Sequence, residues 1–128
     1  MQNAQANNDI QVHVQSEYVP DQSSHSENRY VFTYHVIIEN CGTLPAQLLT
    51  RHWIITDGNQ KVQEVKGEGV IGEQPTIMPG ESYEYSSGAV LQTPVGSMQG
   101  SYQMVDATGL KFSAEIPVFT LAPPRSLH

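Results

Sequence analysis

Ile10, Val12 and Val14 alternate with polar neighbours across Asp9–Gln15, the period-two pattern of a strand with one face buried and one wet. The pattern is clearest in Arg29–Asn40, where Tyr30, Phe32, Tyr34, Val36 and Ile38 share one face and Val31, Thr33, His35, Ile37 and Glu39 the other. A run of that length predicts a central strand. Between the two, Ser16–Asn28 holds Pro20, serines, a histidine and several acids and reads as a connection, with a short edge strand around Glu17–Pro20 as an option. Cys41–Pro45 turns the chain into Ala46–Thr56, a strand that carries Trp53. Asp57-Gly58-Asn59 closes a hairpin onto Gln60–Lys66, because Asp-Gly supplies the positive φ of a tight turn. After the glycine-rich Gly67–Gly72, a short strand is expected over Pro75–Pro79 with a turn at Gly80, then a strand over Glu81–Ser87 with Tyr83 and Tyr85 on one face. Gly88–Gly96 reads as a long connection. The last hairpin joins Ser97–Asp106 to Leu110–Thr120 through Ala107-Thr108-Gly109, and Pro117 marks the final strand as an edge strand or a bulged one.

Seven or eight short strands, turn signals at close intervals and no segment periodic at 3.6 predict an all-β fold. The expected architecture is a two-sheet antiparallel sandwich of the fibronectin type III or immunoglobulin-like kind. A tryptophan on the third strand, packed between the sheets, is an immunoglobulin-like habit, and Trp53 falls at that place. The 128 residues suffice for one hydrophobic core and not for two. The expected division is a flexible N-terminal tail over 1–8, one sandwich domain over 9–121 and a C-terminal tail over 122–128. An open sandwich leaves edge strands to which a partner's strand can add, and the same edges would allow a homodimer.

Composition narrows the function. A net charge of −7 argues against nucleic acid, whose phosphates are bound by Lys and Arg. No run approaches the roughly 18 to 20 apolar residues of a membrane span, and Met1–Asn8 lacks a basic or apolar signal region; no membrane insertion and a cytoplasmic location are expected. The single cysteine, Cys41, rules out an internal disulfide. With no basic neighbour to activate it, Cys41 reads as an ordinary loop thiol.

Several segments together resemble the ApaG family, also called CorD. They are Leu49-Thr50-Arg51-His52-Trp53, Ile55-Thr56-Asp57-Gly58, Gly67-Glu68-Gly69-Val70-Ile71-Gly72 and, above all, Pro79 to Gly88. Leu91, Thr93-Pro94, Gly96, Met98, Gly100 to Met104 and Ile116 to Phe119 extend the likeness. The resemblance implies a fibronectin type III-like sandwich in a bacterial protein and a physiological link to cobalt resistance and magnesium efflux. It also implies a protein-binding role, since related domains occur in a eukaryotic F-box protein and a polymerase-delta-interacting protein. It brings no catalytic residues with it.

The candidate sites read from the residues are few. Gly67, Gly69 and Gly72 satisfy Gly-x-Gly-x-x-Gly, and Lys66 beside them could meet a phosphate. The β-branched Val70-Ile71 and the following Pro75 argue against the helix that a dinucleotide turn needs, and Glu68 and Glu73 would repel an anion. A glycine-rich loop or bulge is the plainer reading. Among His13, His25, His35, His52 and His128, His35 and His52 lie on strands expected to be sequential. Paired across a sheet, they would bind a divalent ion with Glu39 or Asp57. Trp53, Tyr83, Tyr85 and Tyr102 are either core or an interaction patch, with Arg51 packed on the Trp53 ring or paired with an acid. No nucleophile has a base and an oxyanion donor beside it, so neither an enzyme nor a cofactor is expected. The leading expectation is a non-catalytic module that binds another protein; the alternative is a sensor of a divalent metal, pyrophosphate or nucleotide.

Overall fold

The computed structural model describes residues 8–124. Its strands are β1 (Ile10–Tyr18), β2 (Tyr30–Asn40), β3 (Ala46–Asp57), β4 (Val62–Glu68), β5 (Thr76–Ile77), β6 (Ser82–Leu91), β7 (Gly96–Asp106) and β8 (Lys111–Leu121). They form two antiparallel sheets, one ordered β1-β2-β6 and the other β4-β3-β7-β8, with β5 pairing β3 beyond the end of β4. This is the expected all-β sandwich. Of the expected tails over 1–8 and 122–128, residues 1–7 and 125–128, with His128, lie outside the described residues. Asn8, assigned to the first tail, is tied down by a 2.9 Å hydrogen bond from its Nδ2 to Asp106 Oδ2.

Alternation builds the inner faces. Phe32, Tyr34, Val36 and Ile38 of β2 point inward with Val12 of β1 and Tyr85, Ala89 and Leu91 of β6, and all are buried. Across from them lie Leu48, Trp53, Met98, Tyr102, Met104, Ala114 and Ile116. Each large apolar side chain so enclosed stabilises the fold by roughly 1.5–3 kcal/mol. Trp53 is packed edge-on against Tyr34, Phe119 and Tyr102, with ring centroids 5.3, 6.0 and 6.4 Å away. These aromatic contacts join the two sheets.

Two bulges set which side chains face inward. Between Leu48 and Thr50 the register of β3 on β7 shifts by one residue. Without that shift Leu48 and Trp53, five positions apart, would lie on opposite faces. The extra residue, Leu49, offers its carbonyl to Gly69 N and Gln74 Nε2. In β8, Pro117 and Val118 together stand opposite Gln99. The final strand is therefore both an edge and bulged, and its proline sits where no ladder bond is needed.

Three sequence expectations need correction. Gly88–Gly96 is no long connection, because β6 continues in unbroken register with β2 as far as Leu91, opposite Tyr30. Gly88, which suggested a loop, is accommodated opposite Thr33, where the β2 backbone comes close: an added Cβ would meet Phe32 O at 3.3 Å. The optional edge strand around Glu17–Pro20 is instead the end of β1, followed by a 3-10 turn over Pro20–Gln22. Finally, β2 and β3 follow one another in sequence but lie in different sheets, which separates His35 from His52.

Asn40 joins the loops at one end of the sandwich. Only 1% exposed, it donates from Nδ2 to Leu44 O and Ile77 O, both at 2.8 Å, and accepts from Gly42 N at 2.9 Å. Both N–H donors of the buried amide and its carbonyl oxygen are thereby engaged.

Candidate functional site

The two flanks of the sandwich are built differently. On one flank β1 runs against β8, and Ser16 Oγ donates to Thr120 O at 3.0 Å. On the other, the free edges of β6 and β4 border a cleft. At one end it opens to about 480 Å³, lined by Ile55, Val62, Val90, Leu91 and the Asp57–Lys61 turn. Val62 and Val90 are 58% and 50% exposed there.

The edges also differ in protection. β8 carries Lys111, Pro117 and a bulge, devices that discourage strand addition. β4 is short, with Lys66 and Gly67. β6 has ten consecutive residues paired with β2 on one side, with no lysine, proline or bulge. Among the described residues, no loop backbone or side chain hydrogen-bonds to the main chain of Tyr83–Val90 on its free side. A Tyr85 to Tyr102 hydroxyl bond ties β6 to the opposite sheet. Burial pushes the Tyr85 hydroxyl up to about 12, and burial and the neighbouring Tyr85 push Tyr102 further in the same direction. Both therefore stay protonated and serve as neutral donors and acceptors.

The strands' cations lie with one sheet, whereas acids occur on both, Asp57, Glu64, Glu68, Asp106 and Glu115 on the larger. β1, β2 and β6 contain no Lys or Arg, while Glu17, Glu39 and Glu84 lie on them and Glu81 stands just before β6. Among the described residues, Arg51, Lys61, Lys66 and Lys111 all belong to the other sheet or its turns, and Arg29 precedes β2. His35 lies on the outer face of the smaller sheet, with Nε2 2.8 Å from Glu84 Oε1 and Nδ1 2.8 Å from Ser86 Oγ. His13 stands 3.7 Å from Glu39.

His52 projects from the opposite outer face and pairs with Glu64 at 2.8 Å. The proposed His35–His52 metal pair therefore does not form: both histidines flank buried residues and so point away from the core, one from each sheet. No group of three or more metal-ligating side chains occurs among the described residues. His25 bonds the Tyr30 hydroxyl at 2.6 Å. Desolvation and the neighbouring carboxylates of Glu39 and Asp9 push the Cys41 thiol up, the direction of low reactivity.

The glycine motif forms a hairpin tip with no following helix. Gly67 lies in β4 with the Arg51 guanidinium against it, so that a Cβ there would stand 2.7 Å from Nη2. Gly69 has φ +62 and lies so close to Glu73 O that no Cβ fits. Val70 and Glu73 exchange both backbone bonds, at 2.9 and 3.0 Å, around a turn in which Ile71 has φ 42 and Gly72 φ 82. The amides of Val70 and Glu73 are thus used within the loop and that of Gly69 on Leu49 O of β3, and a phosphate would find the Glu68 and Glu73 carboxylates beside it. Lys66 is exposed on β4, paired with His52 across the ladder.

Arg51 neither stacks on Trp53 nor pairs with an acid. It donates from Nη1 to Glu68 O and Gly69 O, at 3.1 and 2.8 Å, and so holds the loop against β3. Tyr102, Trp53 and Tyr85 are core residues. Tyr83 is half-buried beside Tyr85 and donates to Glu73 Oε1 at 2.8 Å. Sequence reading missed the β6 edge and the one-sided placement of the cations; a tally of Lys and Arg by strand would have found the second.

No helix among the described residues is long and apolar enough to cross a membrane. The sequence model of the ApaG domain matches residues 20–106. Protein ApaG of Aromatoleum aromaticum is 61% identical over 119 residues, which cover 93% of this chain and 94% of that protein. Protein ApaG of Thiobacillus denitrificans is 62% identical with the same coverage. A crystal structure of a Bordetella pertussis protein described as ApaA superposes with a TM-score of 0.91 at 51% identity, covering 93% of this chain and 97% of that one. The chain belongs to the ApaG domain family.

Proposed function

We propose that this chain is a non-catalytic protein-interaction module that engages another protein through the free edge of β6. The observation that supports this most is that β6 is long, regular and without lysine, proline or bulge, and that, unlike the equally regular edge strand β1, which runs against β8, it borders an open cleft. Its unpaired main-chain groups can recognise an extended segment by strand addition. The link to cobalt resistance and magnesium efflux then follows from binding a transporter or its regulator in the cytoplasm, with the fold over 9–121 acting as one domain. The ligand-sensor alternative has weaker support, because the amides of Gly69, Val70 and Glu73 are committed and the two histidines are apart.

Affinity capture of the tagged protein from cross-linked native lysate tests the proposal, with Val90→Lys as the edge variant and circular dichroism as its folding control. Retention of one protein, lost with the folded variant, is the expected result. Equal retention by both forms would remove the β6 edge from the proposal. Thermal melting with cobalt, magnesium, pyrophosphate and nucleotides should leave the midpoint unchanged, since a saturating ligand specific for the native state must raise it.

A further inference from the structure

We infer that the β6 edge takes a basic extended segment of a partner protein, added to the smaller sheet as a fourth strand. This rests on the edge proposed above and adds the chemistry of what binds there. Charge is the first reason. A strand beside β6 would meet Glu84 on the outer face and Glu81 near its start, in a sheet whose strands carry Glu17 and Glu39 and no Lys or Arg. Opposite charges on facing strands stabilise a pair and like charges destabilise it.

The cleft supplies the second reason. Val90 lies six residues beyond Glu84 on the same outer face, about 20 Å away at a strand's rise. There the cleft floored by Ile55 and Leu91 opens between Val62 and Val90. The segment that fits therefore carries Lys or Arg opposite Glu84 on the outer face and, about seven positions away, an apolar side chain opposite Leu91 on the inner face of its strand, entering the cleft. A second copy of this chain fits less well, because pairing β6 with β6 would join two acidic sheets with no lysine or arginine between them.

The test uses the full chain, labelled with nitrogen-15, and two synthetic peptides of about twelve residues with alternating β-forming residues. In one, lysines occupy the polar positions and an isoleucine the far end; in the other, glutamates replace the lysines. The lysine peptide should slow amide exchange across Tyr83–Val90 by about tenfold or more, with binding that weakens as salt rises, and the glutamate peptide should not. Glu84→Lys should weaken that binding about tenfold, whereas Glu115→Lys on β8 should change it less than about twofold. Equal protection of β6 by both peptides would overturn the basic partner and leave the edge standing. Lysine-peptide binding that leaves β6 exchange unchanged, or is equally sensitive to both variants, would overturn the inference as non-specific attraction to an acidic protein. Protection of β6 that grows with protein concentration alone would assign the edge to a second copy and overturn it too.

Discussion

The flank where β1 meets β8 and the flank where β6 faces β4 enclose the same core yet handle their edges in opposite ways. The first is filled by Tyr34, Trp53 and Phe119, tied by Ser16 to Thr120 and blunted by Pro117 in its bulge. The second leaves valines exposed and a regular strand without a neighbour. A sandwich has to manage every free edge against unwanted pairing. Protection on one side only is what supports the proposal that the other side is used for recognition, and on that proposal stability and binding should separate under mutation.

The largest separation is expected between Phe119→Ala and Val90→Ala. Phe119 touches both Tyr34 and Trp53, so truncation should cost about 2–3 kcal/mol. Val90, half exposed in the cleft, should cost less than about 0.5 kcal/mol. Urea unfolding of the two variants measures both, and equal losses would erase the distinction between the flanks.

Tyr102→Phe acts on the bond that holds the open flank in place. It leaves the Tyr85 hydroxyl buried without its partner and should cost about 1–2 kcal/mol, with faster exchange at the amides of β6. The same pair predicts a response to alkali. The unfolded chain ionises tyrosine near pH 10, whereas Tyr85 is held up to about 12 and Tyr102 higher by burial. Stability is unaffected by these groups below pH 10 and falls as pH rises above it, because the unfolded state then holds fewer protons than the native one. Phenylalanine at position 102 should make that decline shallower, as a series of melts between pH 8 and 12 would reveal.

The smallest expected effect is a gain. Ile71 is β-branched, 62% exposed and held at φ 42, a region that costs such residues about 1 kcal/mol or more. Ile71→Gly should raise stability by up to about 1 kcal/mol, read from the same urea titration. A loss would mean that the side chain makes contacts that outweigh its backbone strain.

Much of this sandwich was legible in the chain. The inward faces of β1 and β2 follow from plain alternation, and Trp53 sits between the sheets as its position implied. Pro117 announced both an edge and an irregularity. Other features depend on long-range placement. The bulge at Leu49 reverses the inward face near the start of β3 and is fixed by bonds to a loop some twenty residues later in the chain. Gly88 looked like a breaker because a glycine that avoids a neighbouring backbone is written the same way as one in a turn. The histidine pairing fails because succession in sequence does not imply adjacency in a sheet, and in a sandwich the chain often crosses over instead. The candidate site was least legible of all, since a free edge is defined by the absence of a neighbour, and only the assembled sheets reveal that.

Trp53 is the only tryptophan in the chain, and it is enclosed by residues from both sheets. The protein thus carries its own fluorescent gauge of the gap between them. Its emission should be blue-shifted while the layers stay together, and tyrosines within about 6 Å should pass excitation to it. Any separation of the layers would redden the emission and weaken that transfer, whereas a strand arriving at β6 would leave both nearly unchanged, so a single cuvette could distinguish docking from unfolding without a label.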